Sequence, residues 1–535
     1  MVSSAANPPD FPAANPGALQ RWQSNRFGMF IHFDPSCLTG KEISWSRAGG
    51  RRDRGEVVKD GTPAAEYDTL YHQFNPTNFN ARTWVQIAKS AGMKYIVFTA
   101  KHHDGFAMFD SKLTDYKITK SPFGRDLCAE LAQACHEAGI SLGFYYSPPD
   151  WYRSDIFTTN HLEYVKFMHG QVRELLSNYG PVDELWFDAT GGTNTPETWD
   201  NKDLFPMIRK LQPQILVTMR CGGWGDFDTP EQRIGGFQND VPWETCMTIC
   251  QQWSWKPDDV MKSLAQCIKT LVLCAGGDGN LLFNVGPMPN GEIEPRQVIR
   301  LKEIGAWLDK NGESIYGTRG GPWKPTKAIA STRKGDVIYL HLLKNGSETI
   351  ELPDIAAKIK SASILGGGKV KFTKENGKLI FSVPLNQRND LDTILKLQLA
   401  GSVMDLQAEK IPSDIVAEAS NVYQKQMGDY GPQLAFDGDD DTRWATDDGT
   451  SQAWIACDLG SVKVIHGVRI HEAYAGRVQN YKLQYRDGAT WKTFLTGATL
   501  NAKFEVTFPT VKAREFRLNI LSAKQGPSIQ EIEWF

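Results

Sequence analysis

The sequence lacks the features that tie a chain to nucleic acid, to a membrane or to a nucleotide cofactor. Its 59 basic and 62 acidic side chains give a formal net charge of −3, so no positive field is available for nucleic acid or an anionic membrane. No apolar run approaches the roughly 20 residues that a membrane-spanning helix needs. Neither a GxGxxG run nor a phosphate-binding GxxxxGK run follows a strand-like segment, which argues against a nucleotide cofactor.

Cysteine is scarce as well, with nine residues in 535 and no paired CxxC spacing. An odd number of thiols cannot all be bridged within one chain, and Cys128 and Cys135 lie on a helical pattern that is typical of small core side chains. The metal-ligand spacings HxH and HExxH are absent. These spacings give no support for a catalytic metal, and we expect no cofactor in the reaction.

Strand-like and helical runs alternate from residue 27 to about residue 317. This alternation predicts a TIM-like (β/α) barrel, in the α/β class, as a catalytic region over residues 1–318. Only six strands are visible, so two of the eight strands of a barrel would be irregular. The predicted strands are 27–33, 95–100, 142–146, 184–188, 215–219 and 281–285, and the predicted helices are 81–91, 127–138, 162–176, 258–271 and 296–310.

The rest of the chain changes to short alternating runs, such as 337–342 and 379–383. They predict a small antiparallel β-sandwich over residues 319–410. A further change near residue 411 begins a separate β domain over 411–535, with strand-like runs at 467–471, 481–485 and 516–520. We found no internal repeat.

Polar side chains follow three of the predicted strands. The run HHDG at 102–105 ends the second strand, paired tyrosines at 145–146 end the third, and Asp188 ends the fourth. Two of them have an ordinary explanation on their own: a solvated turn for HHDG, and a helix cap for Asp188. His102 and His103 could bind one metal ion only if the backbone turned there, since neighbouring strand residues face opposite ways. Three such ends together favour the mouth of one barrel.

Four blocks of the sequence belong together: FGMFIHF at 27–33, KHHDGF at 101–106, LWFD at 185–188 and NLLFNVGP at 280–287. In this order they resemble the retaining α-L-fucosidases, and the resemblance covers roughly residues 20–400. It implies a TIM-like barrel, a covalent fucosyl-enzyme intermediate, no metal in the reaction, and fucosylated oligosaccharides or glycoconjugates as substrates.

The resemblance also implies roles for individual residues. Asp188 matches the nucleophile of the family, and Glu231 matches the general acid/base. From the sequence alone Glu244 is an equally plausible acid/base, and an ion pair at a strand end explains Arg220 almost as well as sugar binding does. The positions that match sugar-gripping residues are His32, His102, His103, Tyr145 and Arg220, and those that match pocket aromatics are Trp45, Trp186 and Trp253.

Two departures from the family pattern bear on specificity. Many relatives carry Glu immediately before a Trp in the loop after the first strand, where this chain has Ser44 before Trp45, and Trp253 stands where some relatives have Phe. In both positions the chain resembles the branch of the family that prefers α1,3- or α1,4-linked fucose on branched glycans. Two other functions compete with this reading: another retaining exo-glycosidase such as an α-galactosidase, and a non-catalytic, lectin-like protein.

The C-terminal region contains the blocks LAFDGDDDTRW at 434–444, WIACDLG at 454–460 and QEIEWF at 530–535. They resemble the discoidin-like, coagulation factor type C modules found beside many glycosidases. The resemblance implies a second β-sandwich, a discoidin-like jelly roll, that serves as a carbohydrate-binding module over residues 411–535. Such modules use an acidic loop and a late Glu to hold structural Ca²⁺, and a solvated acidic turn without metal is the alternative. The expected ligands are Asp437, Asp440, Thr442 and Glu531, and His471, Tyr474 and Arg477 are candidates for sugar contacts.

The expected location follows from these resemblances, because glycosidases with discoidin-like modules usually meet extracellular glycans. The first ten residues have neither a charged segment nor an apolar core of a signal peptide. We therefore expect a secreted or periplasmic protein whose signal peptide has been removed, with no nucleic-acid partner and no insertion into a membrane.

Overall fold

The computed structural model describes residues 7–8, 11–48, 61–189, 194–237, 240–343, 348–411, 415–438 and 442–535. Strands and helices alternate in its first region, as the sequence predicts. The strands are β1 (Phe27–Ile31), β2 (Arg47–Ala48), β3 (Thr62–Pro63), β4 (Tyr95–Lys101), β5 (Ser141–Tyr146), β6 (Glu184–Phe187), β7 (Leu216–Val217), β8 (Glu244–Thr248) and β9 (Asn280–Val285). The helices are α1 (Pro16–Asn25), α2 (Ala64–Tyr67), α3 (Ala81–Ser90), α4 (Leu127–Ala138), α5 (His161–Asn178), α6 (Asn201–Leu211), α7 (Leu264–Gly276) and α8 (Pro295–Asn311).

Seven of these strands form one parallel sheet in the order β7-β6-β5-β4-β1-β9-β8. The irregular segment 227–231 lies between the two edge strands and makes single bridges to each side. Phe227 bridges Thr218, directly after β7, and Glu231 bridges Cys246 of β8. The sheet is therefore a TIM-like barrel with an irregular eighth position. The two barrel positions that the sequence pattern did not reveal are β8 and this segment.

Buried strands explain why the barrel was visible in the sequence. Every residue of β4 and of β9 is buried, and parallel strands covered on both faces are continuous apolar runs. Helix α7 begins at Leu264 rather than at the predicted residue 258, because Ser263 and Gln266 form a capping box just before it. Helix α6 was not predicted; it contains Pro206, a residue that usually ends a helix.

The second region is an antiparallel β-sandwich of two sheets around a core that includes Trp323, Phe381 and Leu395. One sheet has the strand order β10-β11-β12-β17-β14 and the other has the order β13-β16-β15. The strands are β10 (Arg319–Gly320), β11 (Ile329–Lys334), β12 (Val337–Leu342), β13 (Thr349–Pro353), β14 (Ile359–Ile364), β15 (Lys371–Glu375), β16 (Lys378–Ser382) and β17 (Thr393–Leu399).

The third region is a second antiparallel β structure with its own core, which includes Trp444, Tyr481 and Phe516. Its sheet follows the order β19-β24-β20-β23-β21-β22, and β18 pairs with β20. One short helix, α9 (Met427–Tyr430), precedes the acidic loop. The strands are β18 (Val416–Ala419), β19 (Trp444–Ala445), β20 (Ala453–Glu472), β21 (Val478–Asp487), β22 (Thr490–Gly497), β23 (Phe504–Ala523) and β24 (Ser528–Trp534).

Within the described ranges, no helix is both long enough and apolar enough to cross a bilayer.

All nine cysteines are free thiols and all are buried. Burial raises the pKa of Cys267 to about 11 and that of Cys135 to about 12, so neither forms much thiolate near neutral pH. We expect almost no thiol to react with Ellman's reagent in the native chain, and nine to react in guanidinium chloride. Prompt reaction of one or more thiols in the native chain would contradict this packing.

Candidate active site

The polar strand ends meet at one end of the barrel. His32 follows β1, His102 and His103 follow β4, Tyr145 lies near the end of β5, and Asp188 follows β6. Strands β1, β4, β5 and β6 are neighbours in the parallel sheet, so their carboxyl ends share one edge. The structure therefore brings together the residues that the sequence placed at separate strand ends.

Asp188 lies at the centre of this cluster, with 15% of its side chain exposed. Its Oδ2 accepts a hydrogen bond from the Tyr145 hydroxyl at 2.8 Å, and its Oδ1 accepts one from Arg220 Nη1 at 2.8 Å. His103 Nε2 lies 3.5 Å from Oδ2. Burial alone would raise the pKa of Asp188, but the positive charge of Arg220 and the neighbouring His103 outweigh it and lower the pKa. Asp188 is therefore held as a carboxylate.

Glu231 reaches the same place from the irregular segment 227–231. Its Oε2 accepts a hydrogen bond at 2.9 Å from Arg220 Nη1, the atom that also contacts Asp188, and 44% of its side chain is exposed. Two oxygens that contact one nitrogen at 2.8 and 2.9 Å lie at most about 5.7 Å apart. Arg220 itself is anchored by Thr229 and only 14% exposed, so its contacts are not those of a surface ion pair.

Hydrogen bonds behind the pocket select one tautomer for His32 and one for His103. The Asn284 amide donates to the Trp253 carbonyl, so its oxygen accepts from His32 Nδ1 at 2.6 Å. The Ser147 hydroxyl donates to the Pro149 carbonyl, so it accepts from His103 Nδ1 at 2.5 Å. Both rings then carry a hydrogen on Nδ1. In neutral His32 the Nε2 atom is therefore an acceptor, whereas His103 Nε2 faces the Asp188 carboxylate.

His102 has the opposite tautomer. Ser44 Oγ accepts from the Asp104 amide at 2.9 Å, and its only other partner among the described residues is His102 Nδ1 at 2.6 Å. The Ser44 hydroxyl hydrogen has an acceptor only if it is directed at that nitrogen. His102 Nε2 then carries the hydrogen and is a donor. Burial is the largest cause that lowers the pKa of His102 well below its usual range, and it lowers that of His32 to about 3. Both rings are thus neutral, and they offer a donor and an acceptor, as sugar hydroxyls require.

The Ser44 contact yields a prediction. Ser44→Ala removes the partner of His102 Nδ1 and the acceptor of the Asp104 amide, and we expect kcat/KM to fall about tenfold, mainly through a higher KM. The matched control is Ser46→Ala, because Ser46 Oγ is buried without a hydrogen-bond partner among the described residues. Steady-state kinetics on an aryl fucoside give the comparison, and equal effects of the two changes would refute this role for Ser44.

Aromatic rings form the walls of the pocket. Trp186 stacks on Tyr145 at a centroid distance of 5.7 Å, and Trp253 lies 4.9 Å from the His32 ring. Trp45, a residue that is 37% exposed, packs edge-on against His103 with 5.5 Å between the ring centroids. Sequence reasoning missed Trp151, whose ring lies 5.0 Å from His103 and 5.1 Å from Trp45. The signal was available, because Trp151 closely follows the polar end of a strand.

Glu42 holds the Trp253 loop in place. Its carboxylate accepts hydrogen bonds from the backbone amides of Trp253 and Ser254, both at 3.0 Å. Glu42 is the acidic residue closest before Trp45 in the sequence, and it supports the aromatic wall formed by Trp253. Ser44 occupies the position directly before Trp45. Neither role was visible in the sequence, because each depends on contacts between loops that are far apart in the chain.

Glu244 lies elsewhere in the barrel. It is the first residue of β8, so it belongs to the amino ends of the strands, and it is fully buried. Its carboxylate accepts hydrogen bonds from the Tyr95 hydroxyl and, at 3.1 Å, from the Trp186 indole. The mouth of the barrel holds Asp188 and Glu231 instead.

One cluster among the described residues has the compactness of a metal site. Ligand atoms of His102, His103 and Asp188 lie within 4.8 Å of one another. Each imidazole already uses Nδ1 in a hydrogen bond with a serine, so Nε2 is the ring atom left for a ligand. One carboxylate and two fixed ring nitrogens also suit the hydroxyl groups of a sugar.

Three of the four expected calcium ligands are described, and Asp440 lies outside the described residues. Thr442 Oγ1 donates to Asp437 Oδ1 at 3.0 Å, and Glu531 Oε2 accepts from the Gly438 amide at 3.0 Å. The side chains of Asp437 and Glu531 are 5% and 7% exposed. The nearest ammonium groups are those of Lys410, 3.1 Å from Asp437, and Lys327, 3.8 Å from Glu531.

A barrel mouth with two close carboxylates, neutral imidazoles and aromatic walls is the site of a glycoside hydrolase. Comparisons with known proteins give the family. The family model for alpha-L-fucosidase matches residues 4–313, and that for the F5/8 type C domain matches residues 416–534. The chain belongs to the alpha-L-fucosidase family and carries an F5/8 type C domain at its C-terminal end.

Individual relatives agree. Alpha-L-fucosidase 1 of Arabidopsis thaliana is 32% identical over 55% of this chain, which spans 60% of that relative. Tissue alpha-L-fucosidase of Homo sapiens is 28% identical over 70% of this chain and 86% of its own length. Among solved structures, alpha-L-fucosidase isoenzyme 1 from Paenibacillus thiaminolyticus is 36% identical, with a TM-score of 0.65 over 71% of this chain and 98% of that chain. A GH29 alpha-L-fucosidase from Bacteroides thetaiotaomicron, solved as a trapped covalent intermediate, is 25% identical, with a TM-score of 0.64 over 74% of this chain and 98% of its own.

Proposed function

We propose that this enzyme releases terminal α-linked L-fucose with net retention, through a covalent fucosyl-enzyme intermediate on Asp188. The observation that carries the proposal is the shared contact of Asp188 and Glu231 with one nitrogen of Arg220. It keeps their nearest oxygens within about 5.7 Å, which agrees with the roughly 5–5.5 Å of retaining enzymes and is shorter than the 6.5–9.5 Å of inverting ones.

The two carboxyl groups have different tasks in this mechanism. In the first step Asp188 attacks the anomeric carbon while Glu231, carrying a proton, transfers it to the departing glycosidic oxygen. In the second step Glu231 takes a proton from water, the water oxygen attacks the same carbon, and the bond to Asp188 breaks. Fucose leaves with its original anomeric configuration, and both residues return to their starting states. The lowered pKa of Asp188 supports its role as nucleophile.

Glu231 is our choice for the acid/base because it reaches the mouth beside Asp188 and is partly exposed, so water can approach it. Glu244 is fully buried at the opposite end of its strand, and both of its oxygens accept hydrogen bonds inside the barrel. A proton on Glu244 has no path to a glycosidic oxygen at the mouth.

Fucose suits the walls of the pocket. Its ring hydroxyls need both donors and acceptors, which the tautomers of His32 and His102 provide, and its methyl group needs an apolar surface such as the rings of Trp186 and Trp253. The test compares aryl α-L-fucoside, α-L-galactoside, which adds one hydroxyl at that methyl group, and α-D-galactoside. We expect fucoside to be preferred by at least about tenfold in kcat/KM. Cleavage of only the α-D-galactoside would overturn the proposal.

The preferred linkage is a further part of the proposal. Trp45 and Trp151 form an aromatic pair beside His103 at the rim, which supports binding of a second sugar branch next to fucose. We propose α1,3- or α1,4-linked fucose on branched glycans. The product profile on oligosaccharides of defined linkage tests this, and faster release of α1,2- or α1,6-linked fucose would contradict it.

We also propose export to a secreted or periplasmic location. Burial of all nine thiols shields them from oxidation, so the chain is compatible with an oxidising compartment.

For the C-terminal module we propose a structural Ca²⁺. The buried carboxylates of Asp437 and Glu531 and the hydroxyl of Thr442 are hard oxygen ligands that fit this ion. Adding Ca²⁺ after EDTA treatment should raise the melting temperature of the C-terminal module by several degrees, because calcium binding stabilises the folded module by on the order of 1–3 kcal/mol. Fucosidase activity should not change, because the barrel reaction uses no metal. An unchanged melting curve would show that the acidic loop holds no calcium.

A further inference from the structure

Two carboxyl groups lie side by side inside the barrel, away from the mouth. Glu184 and Glu244 are the first residues of β6 and β8, they are 2% and 0% exposed, and they lie close enough for the charge of Glu244 to raise the pKa of Glu184. Among the described residues, neither forms an ion pair with a lysine, arginine or histidine. Two adjacent carboxylates in such a place would repel each other strongly, so at least one of them has to carry a proton.

The hydrogen bonds identify which residue carries it. Both oxygens of Glu244 are acceptors: Oε1 accepts a hydrogen bond from the Trp186 indole N–H at 3.1 Å, and Oε2 accepts one from the Tyr95 hydroxyl. Glu184 Oε2 receives the Trp22 indole at 3.1 Å, but Glu184 Oε1 has no donor among the described residues. If Glu184 Oε1 carries a proton that is directed at Glu244, this oxygen also has a hydrogen-bond partner. Burial raises the pKa of both groups, and the neighbouring charge of Glu244 raises that of Glu184 further.

Trp186 connects this pair to the active site. Its ring is stacked on Tyr145 and lies 4.9 Å beneath the Arg220 guanidinium. Tyr145 and Arg220 both donate hydrogen bonds to Asp188. We propose that Glu184 and Glu244 share one proton and that Glu244 is a positioning residue, which fixes Trp186 beneath the two partners of Asp188. The inference rests on the proposed function, because it assigns Asp188 the central role.

A shared proton makes the barrel sensitive to alkaline pH. The raised pKa of Glu184 contributes stability that is fully present below the pKa of an unfolded Glu and is lost as pH rises toward the higher folded value. The groups that interact with the pair, Tyr95, Asp183, Cys246 and Cys274, carry no positive charge. Arg21 is the basic side chain that lines the small cavity beside Glu184, and its guanidinium donates to Gln214.

Two glutamine variants separate the roles, because they are not equivalent. Glu184→Gln imitates the protonated acid, since its amide donates to Glu244 and its oxygen accepts from Trp22. We expect kcat/KM within about twofold of wild type at pH 6, and a smaller fall in Tm than in wild type between pH 6 and pH 9.

Glu244→Gln replaces one of the two acceptor oxygens by an NH2 group. That group then faces the N–H of Trp186 or the hydroxyl of Tyr95, so one donor is opposed by another donor. We expect kcat to fall about tenfold with fucosides of both good and poor leaving groups.

The outcomes distinguish this inference from the proposed function. If Glu244 were the acid/base, Glu244→Gln would retain activity on fucosides with excellent leaving groups, and both the inference and our assignment of Glu231 would fail. If Glu244→Gln had wild-type kcat, or if the Tm of Glu184→Gln fell with pH as steeply as that of wild type, the shared proton and the positioning role would be overturned while the proposed function stood. Should Glu244→Gln not fold, the pH dependence of Glu184→Gln decides alone.

Discussion

Replacing Asp188 by asparagine will reduce turnover of every fucoside by at least about 10,000-fold, because the amide cannot form the glycosyl ester on which both steps depend. Asparagine has the size of aspartate and retains an acceptor for Tyr145, so the fold and the affinity for fucose should change little. Steady-state kinetics with activated and natural substrates, together with a fucose-binding measurement, give the result.

The control for this change is Asp203→Asn on α6, an exposed aspartate outside the barrel mouth, which should behave as wild type. A second variant, Asp188→Gly, leaves room for a small anion. We expect added azide to restore activity and to yield the fucosyl azide of inverted configuration, since only one displacement then occurs. Substantial activity of Asp188→Asn after exclusion of wild-type contamination would disprove the assignment.

The second large effect concerns Glu231. Glu231→Ala should lower kcat/KM on natural oligosaccharides about 100- to 10,000-fold, because an alkoxide leaving group needs a proton. On a dinitrophenyl fucoside or a fucosyl fluoride the first step needs no proton, so fucosyl transfer to the enzyme should be nearly as fast as in wild type. A burst of the leaving group followed by slow turnover is the expected signature.

Glu244→Gln is the matched comparison for this prediction. It changes a buried carboxyl group that lies beneath the mouth of the same barrel, and the resulting loss of activity should not depend on the leaving group. If Glu244→Gln rather than Glu231→Ala showed the burst, the acid/base would lie inside the barrel, contrary to the contact between Glu231 and Arg220.

The barrel and the residues at its strand ends were predictable because buried parallel strands are apolar runs that end in polar residues. Asp188, His102 and Tyr145 are of this kind, and each follows or ends such a run. Glu231 is different, since its segment contacts the sheet only through single bridges and has no periodicity of its own. Only the resemblance to a family pointed to it, and only the structure places it beside Arg220.

The supporting contacts of the pocket could not be predicted from the sequence. Ser44, Ser147 and Asn284 select the imidazole tautomers through hydrogen bonds between distant parts of the chain. The local sequence around a serine does not reveal such a partner. Glu42 and Glu244 are similar cases, because each carboxylate binds donors that lie more than 50 residues away in the chain.

The central claim is that Asp188 becomes covalently bonded to fucose, and a mechanism-based label tests it directly. With 2-deoxy-2-fluoro-fucosyl fluoride the first step proceeds and the second is slow, so the glycosyl-enzyme should accumulate. Intact-mass spectrometry followed by peptide mapping should show one fluorofucosyl group per chain, attached at Asp188, and Asp188→Asn should remain unlabelled. A label on Glu231, Glu244 or any other residue would contradict the account, and so would steady hydrolysis of fucosides by a chain that never acquires the label.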